Sequence, residues 1–188
     1  NFMSGRYSAE SSRYRTLAKE GQAPSTMVIA CCDSRAAPET IFDAGPGELF
    51  VVRNVANLIP PYTPDGSHHG TSAALEFAVQ VLKVKHIVVM GHGRCGGIGA
   101  ALNPSAQPLS PGDFIGKWIS LLAPAAEAIA SNQLMTPTER QTTLERISIR
   151  YQLANLRTFP CVTILEEKGR LTLHGAWFDI GTGELWGM

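Results

Sequence analysis

Two short segments of the chain carry side chains that could bind a metal ion and act on a molecule beside it. The first is CCDSR at residues 31–35, and the second is GHGRCGG at residues 91–97. Thiolate and imidazole groups suit zinc, and three such ligands leave the fourth tetrahedral position open. Because an open position admits water or a substrate, the pattern predicts a catalytic zinc site rather than a structural one.

The alternation of side chains along an extended backbone selects one of the two adjacent cysteines. In an extended segment Cys31, Asp33 and Arg35 lie on one face, whereas Cys32 points the other way. Cys31 is therefore the predicted ligand from the first segment. The predicted metal ligands are Cys31, His92 and Cys95.

The residues leave two roles open for Asp33. Its carboxylate either accepts a hydrogen bond from zinc-bound water or ligates zinc itself and closes the site. A bidentate pair with Arg35 would hold the carboxylate off the metal and ionised, because a neighbouring guanidinium lowers the pKa of an acid. We therefore predict that Asp33 and Arg35 are catalytic residues.

The two segments need strands to bring them together. Short β-branched runs at 27–31, 49–53 and 86–90 are typical of buried strands, and 70–84 has apolar residues at helical spacing after the possible cap Thr71. Strand, helix and strand in this order imply a right-handed crossover and a parallel sheet. If the third strand lies beside the first, both metal-binding segments reach the sheet edge where open α/β sheets bind ligands.

The rest of the chain predicts helices and an edge strand pair. Helical patterns cover 118–130 and 136–155, and the second begins with a capping box at 136–139. Runs at 161–165 and 171–178 are predicted to form strands around a turn at 167–169, giving a partly antiparallel edge. The predicted class is thus α/β, with a central, mostly parallel sheet flanked by helices.

We predict a single domain over residues 1–188, in which 1–25 form a helical arm and 26–188 the α/β zinc core. The sparse apolar side chains of the arm, Tyr7, Tyr14 and Leu17, need a surface to pack on, which another subunit would provide.

Composition narrows the class of protein. A chain of 188 residues that is 44% hydrophobic can bury the core of one domain. Sixteen basic and sixteen acidic residues give no net charge, so neither a nucleic acid nor an acidic membrane is the expected partner. No apolar stretch is long enough to span a membrane, and the first residues do not resemble a signal peptide.

The cysteines indicate the compartment. Four cysteines without a regular framework predict a reducing setting, and hence the cytoplasm. An organelle also stays open, because the chain begins at Asn1 rather than Met.

The two metal-binding segments resemble those of one enzyme family. C-x-D-S-R followed about sixty residues later by H-x-x-C-G is similar to the β-class carbonic anhydrases. PGELFVVRNVAN, NLIPPY, GTSAALEFAV, IVVMGHGRCGG and GAWFDIGTGEL extend the likeness over most of the chain, especially to the plant-type branch. The resemblance implies reversible hydration of CO2 to bicarbonate and a proton, with zinc bound by Cys31, His92 and Cys95.

The resemblance also implies a substrate pocket and an assembly. It places Phe50, Val55 and Ile98 in the wall of the CO2 pocket, gives Gln22 as a hydrogen-bond donor, and assigns the Gly96 N–H to bicarbonate. In the family the partner subunit supplies part of this pocket, so a homodimer or a higher even-numbered homo-oligomer is expected.

The ligand set predicts how activity depends on pH. Zinc lowers the pKa of its water and so supplies hydroxide, but two thiolates neutralise the charge of the ion and weaken that effect. We therefore expect activity that rises on the alkaline side of neutrality.

Several alternatives stay open. The segment at 91–96 also matches G-x-G-x-x-G, a dinucleotide-binding pattern, although Pro104, Pro108 and Pro111 indicate a loop in the following stretch and Asp113 is the only acidic residue at the right distance. A closed structural zinc site with Asp33 as the fourth ligand is a second alternative. Hydrolysis of CS2 or COS at the same site is a third. His68 and His69 could relay protons, but adjacent histidines in a Pro/Gly loop are more often solvated.

Overall fold

In the computed structural model, residues 3–103 and 107–188 are described, so Pro104 of the predicted proline-spaced loop lies outside the described residues. Five strands form one sheet in the order β2-β1-β3-β4-β5. All neighbouring pairs are parallel except the last, which is antiparallel. The predicted α/β class, with a mostly parallel sheet and an antiparallel edge, is confirmed. The strands are β1 Thr26–Cys31, β2 Leu49–Asn54, β3 His86–His92, β4 Thr172–Phe178 and β5 Leu185–Gly187.

The helices flank this sheet. The α-helices are α1 Arg6–Glu20, α2 Pro38–Ile41, α3 Gly70–Glu76, α4 Gly96–Ala101, α5 Phe114–Ile119, α6 Ala123–Ala130, α7 Pro137–Leu156 and α8 Pro160–Glu167. Two 3-10 turns, Val55–Asn57 and Ser120–Leu122, and a π-helical turn, Phe77–Val81, complete the regular structure.

The strand register places the two metal-binding segments side by side. Ala30 of β1 pairs with Met90 of β3, and Cys31 pairs with Asn54 of β2. β1 and β3 are parallel neighbours, so the chain leaves both strands at the same edge of the sheet. The predicted strand order around the site is therefore correct.

Apolar side chains cover both faces of the sheet. On one face Ile29, Ile87 and Val89 pack with Ile149 of α7 and Val162 of α8. Burial on both faces explains why β1 and β3 are nearly continuous apolar runs. A separate cluster lies at the carboxyl end of the sheet and contains Cys31, Ala56, Cys95, Ile98, Leu122 and Leu144.

The capping box predicted for α7 is present. The Thr136 hydroxyl accepts from the Glu139 N–H at 3.2 Å, and the Glu139 carboxylate accepts from the Thr136 N–H at 2.8 Å. Pro137 occupies the first turn, where its missing N–H costs nothing.

The strand predicted at 161–165 is wrong, because these residues lie in α8. Val162, Thr163 and Ile164 favour strands by type, but Pro160 in the first turn and extended Phe159 before it begin a helix. One face of that helix buries Val162 in the core. Tertiary burial therefore decides the conformation against local propensity.

The antiparallel edge has a different partner from the one predicted. β4 pairs in parallel with β3, and its antiparallel neighbour is β5.

Two helix predictions also need correction. Thr71 is not the helix cap, because α3 already begins at Gly70. The Thr71 hydroxyl instead accepts from Asn54 Nδ2 at 3.3 Å. The helical pattern at 118–130 is divided by the 3-10 turn just before Pro124, which cannot continue the backbone hydrogen bonds of a preceding helix.

α1 makes few contacts with its own chain. None of its residues is buried. Arg13 donates to the Pro46 carbonyl at 2.7 Å and pairs with Glu48 at 2.9 Å, and Tyr7 stacks on Tyr14. Within the described part of the chain, no helix combines the length and the apolar character that crossing a bilayer requires.

Candidate metal centre

The structure brings Cys31, His92 and Cys95 together at the carboxyl ends of β1 and β3. Their ligand atoms all lie within 4.8 Å of one another, and the three residues are buried. Cys31 ends β1, His92 ends β3, and Cys95 directly precedes α4. Cys32 is exposed, so the alternation argument selected the cysteine that joins this cluster.

The orientation of His92 leaves one ring nitrogen free for a ligand. Nδ1 lies 2.9 Å from the Gly93 carbonyl oxygen, an acceptor, so Nδ1 carries the proton and donates. Nε2 is then the unprotonated nitrogen. It is buried and has no hydrogen-bond partner among the described residues. A buried lone pair aimed into a pair of thiols is the arrangement that a metal ion satisfies.

The two thiols of the cluster are in hydrogen-bond contact with each other. Cys31 Sγ and Cys95 Sγ lie 3.8 Å apart, and the Ala56 N–H donates to Cys31 Sγ at 3.4 Å. The hydrogen bond from Cys95 lowers the pKa of Cys31 well below its ordinary value, while the same bond and burial raise the pKa of Cys95. A metal ion bound to both sulfurs would require both thiols to be deprotonated.

Asp33 is held by Arg35. Asp33 Oδ1 accepts from the Arg35 N–H at 3.0 Å and from Nε at 2.9 Å, and Oδ2 accepts from Nη2 at 2.7 Å. These bonds hold the pKa of Asp33 well below its usual range. Asp33 Oδ2 also lies 3.8 Å from His92 Nε2. The carboxylate therefore borders the metal ligands while its oxygens are engaged by the guanidinium.

Arg53 is a supporting residue that the sequence analysis missed. Its Nε donates to the Cys31 carbonyl at 2.8 Å, and its Nη2 donates to the Asp33 carbonyl at 2.7 Å. One guanidinium on β2 thus fixes the backbone of both residues. The parallel pairing of β2 with β1 was the available signal, because it brings Arg53 beside the end of β1.

Glu145 and Gln141 of α7 are a second missed feature. The Cys95 N–H donates to Glu145 Oε1 at 3.0 Å, and Gln141 Nε2 donates to the Cys95 carbonyl at 3.2 Å. Trp177 Nε1 donates to Glu145 Oε2 at 3.3 Å. Burial raises the pKa of Glu145, and these donors oppose that effect.

Three of the predicted pocket residues adjoin the centre. Ile98 is buried in the cluster that contains Cys31 and Cys95. Val55 immediately follows β2 and is 37% exposed. A side chain at Gly97 would meet Val55 Cγ1 at 2.8 Å, so only glycine allows α4 to approach this turn so closely. Gly96 faces open space.

The other two predicted pocket residues lie apart from these ligands. Gln22 is exposed in the loop between α1 and β1. Phe50 pairs with Met27, four residues before the Cys31 end of the sheet, and stacks on Phe77 with ring centroids 5.9 Å apart. Phe77 is 43% exposed, whereas Phe50 is partly buried against the core, so the pair faces outward on its Phe77 side.

The remaining candidates lie elsewhere. His69 contacts Asp65 at 2.7 Å and borders a cavity of about 440 Å³ between α3 and α8, whose lining shares no residue with the metal centre. Asp113 is the N-cap of α5 and accepts from the Gly116 N–H, so it does not end a strand as dinucleotide binding requires.

Comparison with known proteins identifies the family. A family model described as carbonic anhydrase matches residues 26–185. The chain belongs to this family. Over 184 residues it is 40% identical to a carbonic anhydrase of Pseudomonas aeruginosa, covering 98% of this chain and 81% of that protein. It is 37% identical over 191 residues to β-carbonic anhydrase 3 of Arabidopsis thaliana, covering 99% of this chain and 73% of the relative.

Solved structures agree on the β class. The β-carbonic anhydrase CcaA superposes with a TM-score of 0.91 at 29% identity, over 99% of this chain and 82% of that one. A tetrameric β-carbonic anhydrase from Sordaria macrospora superposes with a TM-score of 0.82 at 30% identity, over 100% of this chain and 91% of the other. The predicted membership of the β class is confirmed.

Proposed function

We propose that this chain catalyses the reversible hydration of CO2 to bicarbonate and a proton, with zinc as its cofactor. One observation carries the proposal: a buried, unpartnered imidazole nitrogen faces two thiols at the ends of β1 and β3. Family membership supports the same reaction. Zinc would be held by Cys31, His92 and Cys95, a donor set that suits it. When bound, zinc lowers the pKa of water and so supplies hydroxide near neutral pH.

Asp33 and Arg35 orient the reacting water in this proposal. Arg35 occupies the carboxylate from one side and keeps it ionised, so Asp33 stays off the metal and the site stays open. Asp33 Oδ2, on the His92 side, then accepts the hydrogen bond from the O–H of the reacting water. This bond directs an oxygen lone pair towards the carbon of CO2.

The CO2 pocket is assigned to apolar groups beside the thiols. Ile98 and Val55 form its wall on this chain, and the Gly96 N–H is the donor for bicarbonate. We assign Gln22 and Phe50 to the neighbouring subunit's site, because both lie away from their own ligands and Phe50 joins an outward-facing aromatic pair. The tetrameric structural neighbour supports an even-numbered homo-oligomer. Unburied α1 is a further surface for such packing.

We also propose a reducing compartment, and the cytoplasm in particular. Both thiols must be reduced to bind a metal ion, and their sulfurs are only 3.8 Å apart.

The test combines zinc analysis with stopped-flow CO2 hydration on the wild type and on Arg35→Ala. The variant should keep its zinc and lose about 10- to 100-fold in kcat/KM, because Asp33 is no longer oriented. Arg157→Ala is the matched control, since Arg157 holds Glu166 with the same bidentate geometry away from the site. The control should retain wild-type activity.

Each other outcome identifies an alternative. Zinc-loaded wild type that hydrates no CO2 but hydrolyses CS2 or COS would change the substrate. Zinc without either activity would indicate a structural site, and a zinc-free protein with full activity would contradict the proposal.

A further inference from the structure

The backbone of Cys95 is held on both sides by α7. Glu145 accepts from its N–H at 3.0 Å, and Gln141 donates to its carbonyl at 3.2 Å. The two residues are one helical turn apart, so they lie on the same side of α7, and Gln141 Nε2 also donates to Glu145 Oε1 at 3.1 Å. We propose that Glu145 and Gln141, the Cys95 clamp, are positioning residues that set the geometry and affinity of the Cys95 ligand. This inference rests on the proposed metal-binding function.

The chemistry of the clamp requires an acceptor-only side chain at its centre. Glu145 is 2% exposed, and its three neighbours all donate: the Cys95 N–H, the Gln141 amide and the Trp177 indole. A carboxylate can accept from all three, whereas a glutamine of the same shape would turn its NH2 towards at least one donor. Burying a carboxylate is costly, and a neutral acceptor would be enough for a single N–H. The buried carboxylate is therefore explained by the three donors together rather than by any one of them.

Besides the clamp, the segment around Cys95 is held by the Gly93 N–H, which donates to the Phe178 carbonyl at 2.8 Å, by the Gly99 N–H, which donates to the Cys95 carbonyl at 3.0 Å, and by the Arg35 guanidinium, which donates to the Arg94 carbonyl at 3.3 Å. Gly93, Gly96 and Gly97 surround the ligand, and glycine gives the backbone its greatest freedom. Arg94, directly before it, adopts a left-handed conformation with φ of 57°. The clamp connects this segment to a 20-residue helix that packs on β3 and β4. It therefore adds an anchor on α7, through both backbone polar groups of Cys95, to a segment whose glycines allow the backbone wide freedom.

The clamp also links the metal centre to β4, the strand beside β3. Trp177 lies on β4 and is buried, and the Arg146 guanidinium stacks on its ring at 4.4 Å. Glu145 thus bridges the ligand segment after β3 and the next strand. Displacement of Glu145 would loosen Cys95 relative to Cys31, whose own backbone is held separately by Arg53.

The primary test is Glu145→Gln, which preserves shape and removes one acceptor. Zinc affinity is measured by competition with a chromophoric chelator, and the visible spectrum is recorded after replacing zinc with Co2+. We expect zinc affinity to fall about 10- to 100-fold, as supporting contacts to metal ligands commonly contribute. The thiolate-to-Co2+ charge-transfer band should also shift, because its position and intensity report how the sulfur meets the metal.

Two control variants separate positioning from general stability. Glu127→Gln makes the same change at an exposed position of α6 and should behave as wild type. Gln152→Ala removes another buried polar contact of α7, the acceptor for the Ile59 N–H, and should lower the Tm without moving the Co2+ spectrum. If Glu145→Gln does not fold, Gln141→Leu serves as the test variant instead. We then expect the thiolate-to-Co2+ band to shift in the same direction but by less.

Three results would overturn the inference. The first is a folded Glu145→Gln with wild-type zinc affinity and spectrum. The second is an equal loss of zinc affinity in Gln152→Ala, and the third, where Gln141→Leu is the test variant, is an unchanged spectrum. A zinc-loaded wild type without hydratase activity would refute the proposed function instead, and the Co2+ spectra would still report on the clamp.

Discussion

At the scale of single residues, the adjacent cysteines Cys31 and Cys32 have different surroundings. Cys31 is 5% exposed and lies among the proposed ligands, while Cys32 is exposed on the other side of the chain. The alternation of an extended segment was enough to separate them from sequence. Glu145 could not be found in this way, because its contact with Cys95 joins segments 50 residues apart.

We predict that Cys31→Ser loses zinc and that Cys32→Ser does not. Cys31 contributes one of three ligands, so zinc content should fall to roughly a tenth or less, with a parallel loss of hydration. Cys32 contacts no ligand and serves as the adjacent control. Elemental analysis and stopped-flow assays check both, and equal zinc contents would contradict the assignment.

The pH profile is a second prediction at this scale. Two thiolates reduce the effective charge of the ion, so the hydration rate should rise between neutral and alkaline pH. Arg35 holds the pKa of Asp33 well below its usual range, and Asp33 is therefore ionised throughout this interval. The rise does not come from Asp33. A rate that is constant across the interval would contradict the ligand-charge argument.

At the scale of elements, sequence patterns were most informative where local and tertiary preferences agree. β1 and β3 are nearly continuous apolar runs and α7 begins with a capping box, and the structure contains all three elements. The prediction for the residues of α8 was wrong, because their β-branched side chains favour a strand while the proline at the helix start and the burial of one face favour a helix. β5 is short and exposed, so no apolar alternation marked it.

The capping box of α7 gives a prediction for stability. Thr136→Ala removes the acceptor for the Glu139 N–H and should lower the free energy of unfolding by about 1 kcal/mol. Thr138→Ala, two residues along and exposed, is the matched control. Urea denaturation measures the difference. Equal midpoints for the two variants would show that the capping bonds contribute no net stability.

At the scale of the whole molecule, the proposed site extends beyond one chain. The ligands of one subunit and Phe50 of another would meet only in an assembly. Exposed Phe77, on which Phe50 stacks, and unburied α1 provide the surface for it. In the sequence this sharing was expected only from the family resemblance, because shared sites follow from symmetry rather than from local pattern.

Mixing two inactive variants tests the shared site. In a dimer of Cys31→Ser with Phe50→Ala, one site would carry both changes and the other neither. Equal amounts of the two variants are unfolded and refolded together so that the subunits pair at random. About half of the dimers are then mixed, and each mixed dimer has one intact site of two, so about a quarter of wild-type activity should be restored. If Phe50 serves its own chain, the mixture should show only the mean of the two separate variants. Hydration assays of the mixture and of each parent decide between these outcomes.

The positions of β1 and β3 have a further consequence for how the chain is connected. Cys31 and Cys95 are 64 residues apart in sequence, and β2 and α3 lie between them. An ion bonded to both sulfurs would close that stretch into a loop, as a disulfide would. On the chain-entropy model such a closure disfavours the unfolded state by roughly 4 kcal/mol. The cofactor would then also act as a cross-link across the stretch of chain that contains edge strand β2.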